Sequence, residues 1–204
     1  FVKAEAERNP NFVFLAAGTM GGIGLTPADR AVLGTQYVDV GIAEEQAVAM
    51  ASGLARGGAR PIFGTYSTFF QRVYDQMSQD VAVNNNPAVF LSTYATLYGM
   101  NDVTHLGFFD IPLFANIPNL VFLAPAGLEE YLAVLRWALA QTAHPVMIRV
   151  PVRGYETSPY PVRTDYSALN RYQVVTEGAE VAIIGAGNFA QMASDAAAEL
   201  AKDG

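Results

Sequence analysis

The stretch DVGIAEEQAVAMASGLA, residues 39–55, predicts a strand end, a tight turn and a helix, and this unit decides the fold class. On a helical wheel, Val48 and Ala51 fall within about 40° of Glu44. Glu45 points about 100° away, to the wetter face. Glu44 is therefore predicted to lie in the middle of the buried face, where a helix does not usually accept a charge.

Similar strand and helix units recur along the chain. Apolar runs rich in Val, Ile and Phe predict strands at residues 11–17, 36–40, 60–66, 87–93, 119–125 and 145–150. Helix-period stretches lie near residues 43–56, 67–83 and 127–142. Apolar strands separated by helices are typical of a parallel sheet. We predict an α/β fold over residues 1–155, with a parallel sheet of about six strands covered by helices on both faces.

The C-terminal part has a different character. Residues 156–178 are rich in turn-forming residues and are predicted to be an ordered linker. The run EVAIIGA, residues 180–186, predicts a strand, and a helix is expected from about residue 188. Residues 179–204 are therefore predicted to begin a second α/β domain. The chain opens FVKAEAERNP and stops just after a helix-like stretch, so we expect a fragment or a subunit of something larger.

Composition narrows the class of protein. The chain is 51% hydrophobic and 15% charged, which favours a large core, an extensive subunit interface, or both. The net charge of −7, without a basic stripe, argues against a nucleic-acid partner. No apolar run approaches the roughly 20 residues of a membrane span, so no membrane association is expected. The lack of cysteine excludes disulfides and thiolate metal sites and fits a cytoplasmic location.

Glu44 is the first candidate site residue. Gly41 and Ile42 before it suggest a turn at the carboxyl edge of the sheet, where open α/β sheets bind ligands. A carboxyl group in an apolar setting there can bond a ligand or exchange a proton with it. The alternative is an acid that is only favoured by the dipole of a helix N-terminus.

The next unit is PIFGTYSTFFQRVYDQMSQD, residues 61–80. Ser67 or Thr68 is predicted to cap its helix. The predicted buried stripe consists of Phe70, Val73, Tyr74, Met77 and Val81. Phe69 and Arg72 lie off this stripe, where an aromatic ring could stack on a flat heterocycle and an arginine could bind an anion. Alternatively, Phe69 belongs to the core and Arg72 pairs with Asp75 or another acid.

The chain has two histidines. His144 precedes a strand, at the edge away from the predicted site, and is interpreted as structural. His105 lies in the loop YGMNDVTHLGFFD, residues 98–110, after the fourth predicted strand. Loops at that edge reach ligands, and histidine suits proton transfer near neutral pH.

Three stretches together, DVGIAEEQAV, YSTFFQRVYDQ and THLGFFD, resemble the pyrimidine-binding domain of the transketolase family of thiamine-diphosphate enzymes. Within that family they are most similar to the 1-deoxy-D-xylulose-5-phosphate synthases. Order and spacing agree from about residue 12 to 155, and the tail from about 172 resembles the start of the family's C-terminal domain. The implied fold is the thiamine-diphosphate-binding fold.

The resemblance implies roles for individual residues. Glu44 would hydrogen-bond the aminopyrimidine ring of the cofactor and promote its activation, and His105 would assist proton transfer. The other implied cofactor contacts are Ile42, Tyr66 and Phe69. The implied substrate contacts are Arg72, Asn101 and a phosphate-binding arginine, either Arg149 or Arg153, because the register is ambiguous.

The resemblance also has gaps. The family usually has an acid where this chain has Asn101, and glutamine is common where it has Leu106. Both changes leave the substrate open. The Gly-Asp-Gly motif that binds the diphosphate and Mg²⁺ is missing, so the metal ligands are expected on another domain or subunit. We expect a homodimer or a heterotetramer acting on small sugar phosphates and 2-oxo acids.

Three functions remain open from sequence. The first is synthesis of 1-deoxyxylulose 5-phosphate from pyruvate and glyceraldehyde 3-phosphate. The alternatives are a split transketolase subunit that transfers a two-carbon ketol unit, and a non-catalytic partner subunit. The segment GAGNFA, residues 185–190, matches a dinucleotide fingerprint, but the second strand and the acid that such a site needs are absent.

Overall fold

The computed structural model describes residues 1–96, 103–158, 160–163, 166, 168, 171–178 and 180–202. It contains a six-stranded sheet in the order β2-β1-β3-β4-β6-β5, and every strand pair is parallel. The strands are β1 Phe12–Ala16, β2 Tyr37–Asp39, β3 Arg60–Tyr66, β4 Val89–Thr93, β5 Val121–Leu123 and β6 Val146–Arg149. The predicted parallel α/β fold is confirmed.

Helices precede, connect and follow the strands. They are α1 Val2–Arg8, α2 Pro27–Leu33, α3 Glu44–Arg56, α4 Ser67–Phe70, α5 Asp110–Phe114, α6 Leu128–Ala140 and α7 Ala190–Leu200. Shorter 3₁₀ turns cover Met20–Ile23, Gly34–Gln36, Gln71–Val73 and Gly187–Phe189. Among the described helices, none is long and apolar enough to cross a membrane.

The sheet separates two hydrophobic cores, because successive strand side chains point to opposite faces. On one face Phe14, Ile62 and Ile148 pack with residues of α2 and α6. On the other, Phe63 and Met147 pack with α3, with the helical stretch after β3 and with α5. Burial on both faces explains why the strands read as continuous apolar runs in the sequence.

The helical stretch after β3 is less regular than predicted. It passes from α4 through a 3₁₀ turn into a π-helical segment, Gln76–Ala82. The predicted cap was wrong: the N-cap position is Tyr66, it makes no side-chain cap bond, and Ser67 is buried in the first turn. Tyr74 is 38% exposed, since the change of helical period turns it away from the predicted buried stripe.

The predicted strand at residues 180–186 does not form in the described part of the chain. Val181 and Ile184 are 77% and 92% exposed there. A strand needs a hydrogen-bonded neighbour, and these residues do not join the sheet. The helix expected from about residue 188 is confirmed as α7.

The segment after β6 packs along α6. The Tyr155 ring stacks on Tyr131 with centroids 4.8 Å apart, and Tyr166 lies 6.2 Å from Trp137, the only tryptophan of the sequence. Burial raises the pKa of all three tyrosines, that of Tyr166 to about 12. Tyr155 and Tyr166 therefore lie against α6, on the face of the sheet opposite α3, and we call these two residues the strap.

Candidate active site

The carboxyl ends of all six strands meet at one edge of the sheet, because every strand pair is parallel. The turn before α3, the first turns after β3, the histidine-containing loop after β4 and the chain after β6 all start there. Open α/β sheets bind ligands at this edge. The sequence-predicted site residues that the structure describes lie on these segments, at the last residue of β3 or β6, or in the first turn of α3.

Glu44 occupies the first turn of α3 and is only 1% exposed, whereas Glu45 is exposed. This burial confirms the wheel prediction. Two contacts fix the turn that leads into the helix: Asp39 Oδ1 accepts hydrogen bonds from the backbone N–H groups of Gly18 (2.9 Å) and Gly41 (3.0 Å). Gly41 has φ +73°, a conformation that glycine adopts without steric cost.

The buried carboxylate of Glu44 is paired with Arg72. Arg72 Nη1 donates to Glu44 Oε2 at 3.1 Å, and the arginine side chain is 50% exposed. The sequence left open whether Arg72 pairs with Asp75 or another acid, and its partner is Glu44 itself. A buried charge needs such a partner, so the pair explains how α3 tolerates the acid.

Four rings surround the start of α4; we call Tyr66, Phe69, Tyr94 and His105 the aromatic cluster. The Tyr66 ring lies 5.5 Å from Phe69, nearly parallel to it, and 4.4 Å from Tyr94. The His105 ring stands edge-on to Tyr66 at 5.7 Å and to Phe69 at 5.4 Å. All four residues are half-buried, so the cluster presents aromatic faces and polar tips at the sheet edge.

Polar contacts further define the cluster. Burial, and then the neighbouring Tyr94 hydroxyl, raise the pKa of the Tyr66 phenol above its usual value. His105 Nδ1 lies 2.8 Å from the hydroxyl of Thr104. The Thr68 hydroxyl donates to the Thr104 carbonyl oxygen at 3.5 Å, so the histidine loop also contacts α4.

The 3₁₀ turn Met20–Ile23 closes one side of the cluster. A Cβ atom on Gly22 would lie 1.9 Å from Tyr66 Cε1, so only glycine allows this approach. A Cβ atom on the neighbouring Gly21 would meet nothing within 4 Å. Thr19 and Thr65 join the same turn to β3 through hydroxyl groups 3.2 Å apart.

The remaining predicted residues have different surroundings. Ile42 is 83% exposed at the carboxyl edge, and Arg153 is exposed after β6. Arg149 is buried and binds Asp110. His144 lies at the opposite edge, before β6, as predicted. Asn101 lies outside the described residues.

Sequence reasoning missed three residues around the site: Tyr94, Asp110 and Gly22. Tyr94 directly follows β4, so its position at the carboxyl edge was a usable signal. Asp110 is visible in the quoted histidine loop, but its arginine partner is 39 residues away. The described residues contain no group of three or more His, Cys, Asp or Glu side chains that could hold a metal ion.

The fold and site define an α/β protein with a buried acid and an aromatic cluster at the carboxyl edge of a parallel sheet. Residues 1–157 match the transketolase, pyrimidine binding domain family. The chain belongs to the transketolase family through this domain.

Relatives at 36–41% identity agree with this assignment. The chain is 36% identical over 199 residues to the 1-deoxy-D-xylulose-5-phosphate synthase of Clostridium acetobutylicum, covering 98% of this chain and 32% of the relative. It is 41% identical over 164 residues to the Thermus thermophilus synthase, covering 80% of this chain and 26% of the relative. The chain thus spans about a third of the length of the relatives it matches.

The fold itself is shared with solved transketolase structures. A structure titled "Split gene transketolase, inactive beta4 tetramer" matches 99% of this chain and 65% of its own, with a TM-score of 0.77 and 23% identity. Transketolase from Leishmania mexicana matches 79% of this chain and 25% of its own, with a TM-score of 0.68 and 17% identity. At these identities the matches establish the fold alone.

Proposed function

We propose that this chain supplies the pyrimidine-binding half of the active site of a thiamine-diphosphate-dependent transferase similar to 1-deoxy-D-xylulose-5-phosphate synthase. The observation that carries the proposal is the burial of Glu44. This residue is only 1% exposed, and it lies in the first turn of α3 at the carboxyl edge of the sheet. Family membership and the synthases at 36–41% identity supply the reaction class.

The residues present fit the pyrimidine end of the cofactor. A buried carboxyl group can bond a ring nitrogen, the half-buried Phe69 can stack on a flat heterocycle, and Tyr66 and Ile42 can line the ring's edge. When bound, thiamine diphosphate would supply a ring carbon that, once deprotonated, adds to a carbonyl carbon, and a positively charged ring that takes up the electron pair of the bond broken next to that carbon.

The chain's own residues would perform the supporting steps. Glu44 would hydrogen-bond the pyrimidine nitrogen, and Arg72, 3.1 Å from its Oε2, would orient the carboxylate and contact the substrate through its exposed half. His105, held by Thr104, moves a proton to or from substrate oxygen atoms. Arg153, exposed after β6, is our choice for the substrate phosphate.

The other half of the site would come from a partner. The Gly-Asp-Gly motif is absent from the sequence, so we propose that a separate domain or subunit binds the diphosphate and Mg²⁺. A homodimer or a heterotetramer would bring the two halves together. The low charged fraction of 15% suits a chain with an extensive interface, and a cytoplasmic location suits its small phosphorylated substrates.

A split transketolase subunit is the second candidate function. Asn101 and Leu106 keep it open, because both differ from the family's usual residues in the loop that reads the acceptor. A non-catalytic partner subunit is the third candidate and rests on the same two positions.

The test is CO₂ release from pyruvate by the chain assembled with a diphosphate-binding half, thiamine diphosphate and Mg²⁺, with and without glyceraldehyde 3-phosphate. We expect release that rises with the aldehyde and falls at least about a hundredfold in Glu44→Gln. Glu45→Gln is the matched control, because this neighbouring carboxylate is exposed, and it should leave turnover unchanged.

Other results would redirect the assignment. Exchange between sugar phosphates without CO₂ release would support the transketolase function. Full turnover in Glu44→Gln would contradict catalysis by this chain and support the non-catalytic partner.

A further inference from the structure

The side chain of Arg149 is enclosed at the base of the histidine loop. Its side chain is 9% exposed and that of Asp110 is fully buried. Arg149 Nε donates to Asp110 Oδ2 at 2.5 Å, and Nη2 approaches Asp110 Oδ1 at 3.2 Å. This two-pronged pairing is the strong geometry for arginine and carboxylate. A guanidinium in this position faces protein groups rather than the open edge of the sheet.

Arg149 also binds both ends of the loop. Nη2 donates to the carbonyl oxygen of Ala95 at 2.7 Å and approaches that of Gly107 at 3.4 Å. β4 is followed by Tyr94 and then by Ala95, which begins the loop. Gly107 and Asp110 come after His105, at the end of the loop. One side chain therefore joins the segment that leaves the sheet to the segment that returns to α5.

The two ends are pressed together where Arg149 holds them. A Cβ atom on Gly107 would lie 1.9 Å from the carbonyl oxygen of Tyr94, so the backbones are in direct contact. Tyr94 itself has φ +57°, which a tyrosine rarely adopts. A backbone in this conformation persists only where the surroundings hold it in place.

We propose that Arg149 is a positioning residue: it clamps the two ends of the histidine loop and thereby holds His105 and Tyr94 in the aromatic cluster. The role in catalysis rests on the proposed function, whereas the ordering of the loop does not. Of the two arginines that the sequence left open, Arg153 then remains for the substrate and Arg149 serves the loop.

The experiment is hydrogen–deuterium exchange of the whole chain, assembled with its partner half, in wild type and Arg149→Met. We expect amides from His105 to Phe109 to exchange at least about a hundredfold faster, because one partner of a buried pair is lost, while β1 and β3 stay protected. Arg8→Met is the matched control, because Arg8 pairs with the buried Glu5 elsewhere in the chain.

Asp110→Asn is the milder variant, in case Arg149→Met does not fold. Its readout is the ¹⁵N ring signals of the two histidines, with His144→Gln for assignment. We expect the His105 signals to shift and those of His144 to stay. Turnover of the active complex should fall about a hundredfold, with cofactor affinity retained.

Unchanged exchange and unchanged His105 signals in these variants would overturn the clamp. A raised KM for the phosphorylated substrate in that case would assign Arg149 to substrate binding. Faster exchange of the loop in the variants, together with no measurable turnover of the wild-type complex, would support the clamp and contradict the proposed function. The two failures are therefore distinguishable.

Discussion

At the scale of single residues, the ion pair between Glu44 and Arg72 would link the stability of the fold to the proposed function. Its carboxylate is buried and its guanidinium is half exposed, so the acid depends on the arginine for charge compensation. We therefore expect a substitution of either residue to change both the stability of the fold and the proposed chemistry, so the two effects have to be measured separately.

The first prediction concerns this pair. Arg72→Met leaves a buried carboxylate unpaired and should lower the free energy of unfolding by about 1–3 kcal/mol, below the cost of breaking a fully buried pair because Arg72 is half exposed. Adding Glu44→Gln should restore most of the loss. Urea denaturation of the single and double variants measures this coupling.

Arg136→Met serves as the control for Arg72→Met, because Arg136 is exposed on α6 and lies outside the aromatic cluster. It should change the free energy of unfolding by no more than about 0.5 kcal/mol. Additive effects of the two substitutions at Glu44 and Arg72 would contradict the coupling.

At the scale of elements, the 3₁₀ turn Met20–Ile23 fixes the position of Tyr66. Gly22→Ala would place a methyl group against the ring, and overpacking of this kind costs about 1–3 kcal/mol. We expect weaker thiamine-diphosphate binding by the assembled enzyme, measured by calorimetry. Gly21→Ala is the matched control, since a methyl group there has open space, and equal effects of the two variants would refute the packing argument.

The strap on α6 predicts an alkaline limit to stability. The pKa values of Tyr131 and Tyr155 are raised above 10.0 in the folded state by burial, so the unfolded state loses these protons first. The stability that these two protonated tyrosines contribute is therefore fully present below pH 10. The free energy of unfolding should fall as the pH rises above the pKa of 10.0 that the tyrosines have in the unfolded chain. Denaturant unfolding at pH 8 and pH 11 measures the difference.

Phenylalanine substitutions provide the check on this pH dependence. Tyr131→Phe with Tyr155→Phe removes both ionisable groups and should flatten the decline. Tyr172→Phe, at a residue that is 88% exposed, should leave the decline unchanged. A steep alkaline decline that persists in the double variant would assign the effect to other groups.

The sequence predicted these elements unevenly. The apolar period of residues 43–56 was sufficient to place Glu44 on the buried face, because neighbours on a helix are determined locally. The pair between Glu44 and Arg72 joins residues 28 apart, and the clamp joins Asp110 to Arg149 39 residues away, so neither follows from local spacing. The strand expected at 180–186 was wrong because β-structure depends on a partner that local sequence cannot supply.

At the scale of the whole molecule, the parallel sheet gathers the candidate site at one edge, and in the proposed function a partner supplies the rest. We predict that the isolated chain binds thiamine diphosphate weakly, because the residues present fit only its pyrimidine end. Calorimetry should give an affinity at least about a hundredfold lower than that of the assembled complex. Tight binding by the isolated chain would contradict the half-site arrangement.

Trp137 gives the chain a built-in optical reporter. It is the only indole chromophore of the sequence, it is partly buried against the core on the α6 face, and Tyr166 is its neighbour at 6.2 Å. Fluorescence excited at the red edge of the protein's absorption spectrum therefore comes from Trp137, on the face of the sheet opposite α3. Its emission wavelength and quenching would report the contact with Tyr166 in real time, without any dye attached to the protein.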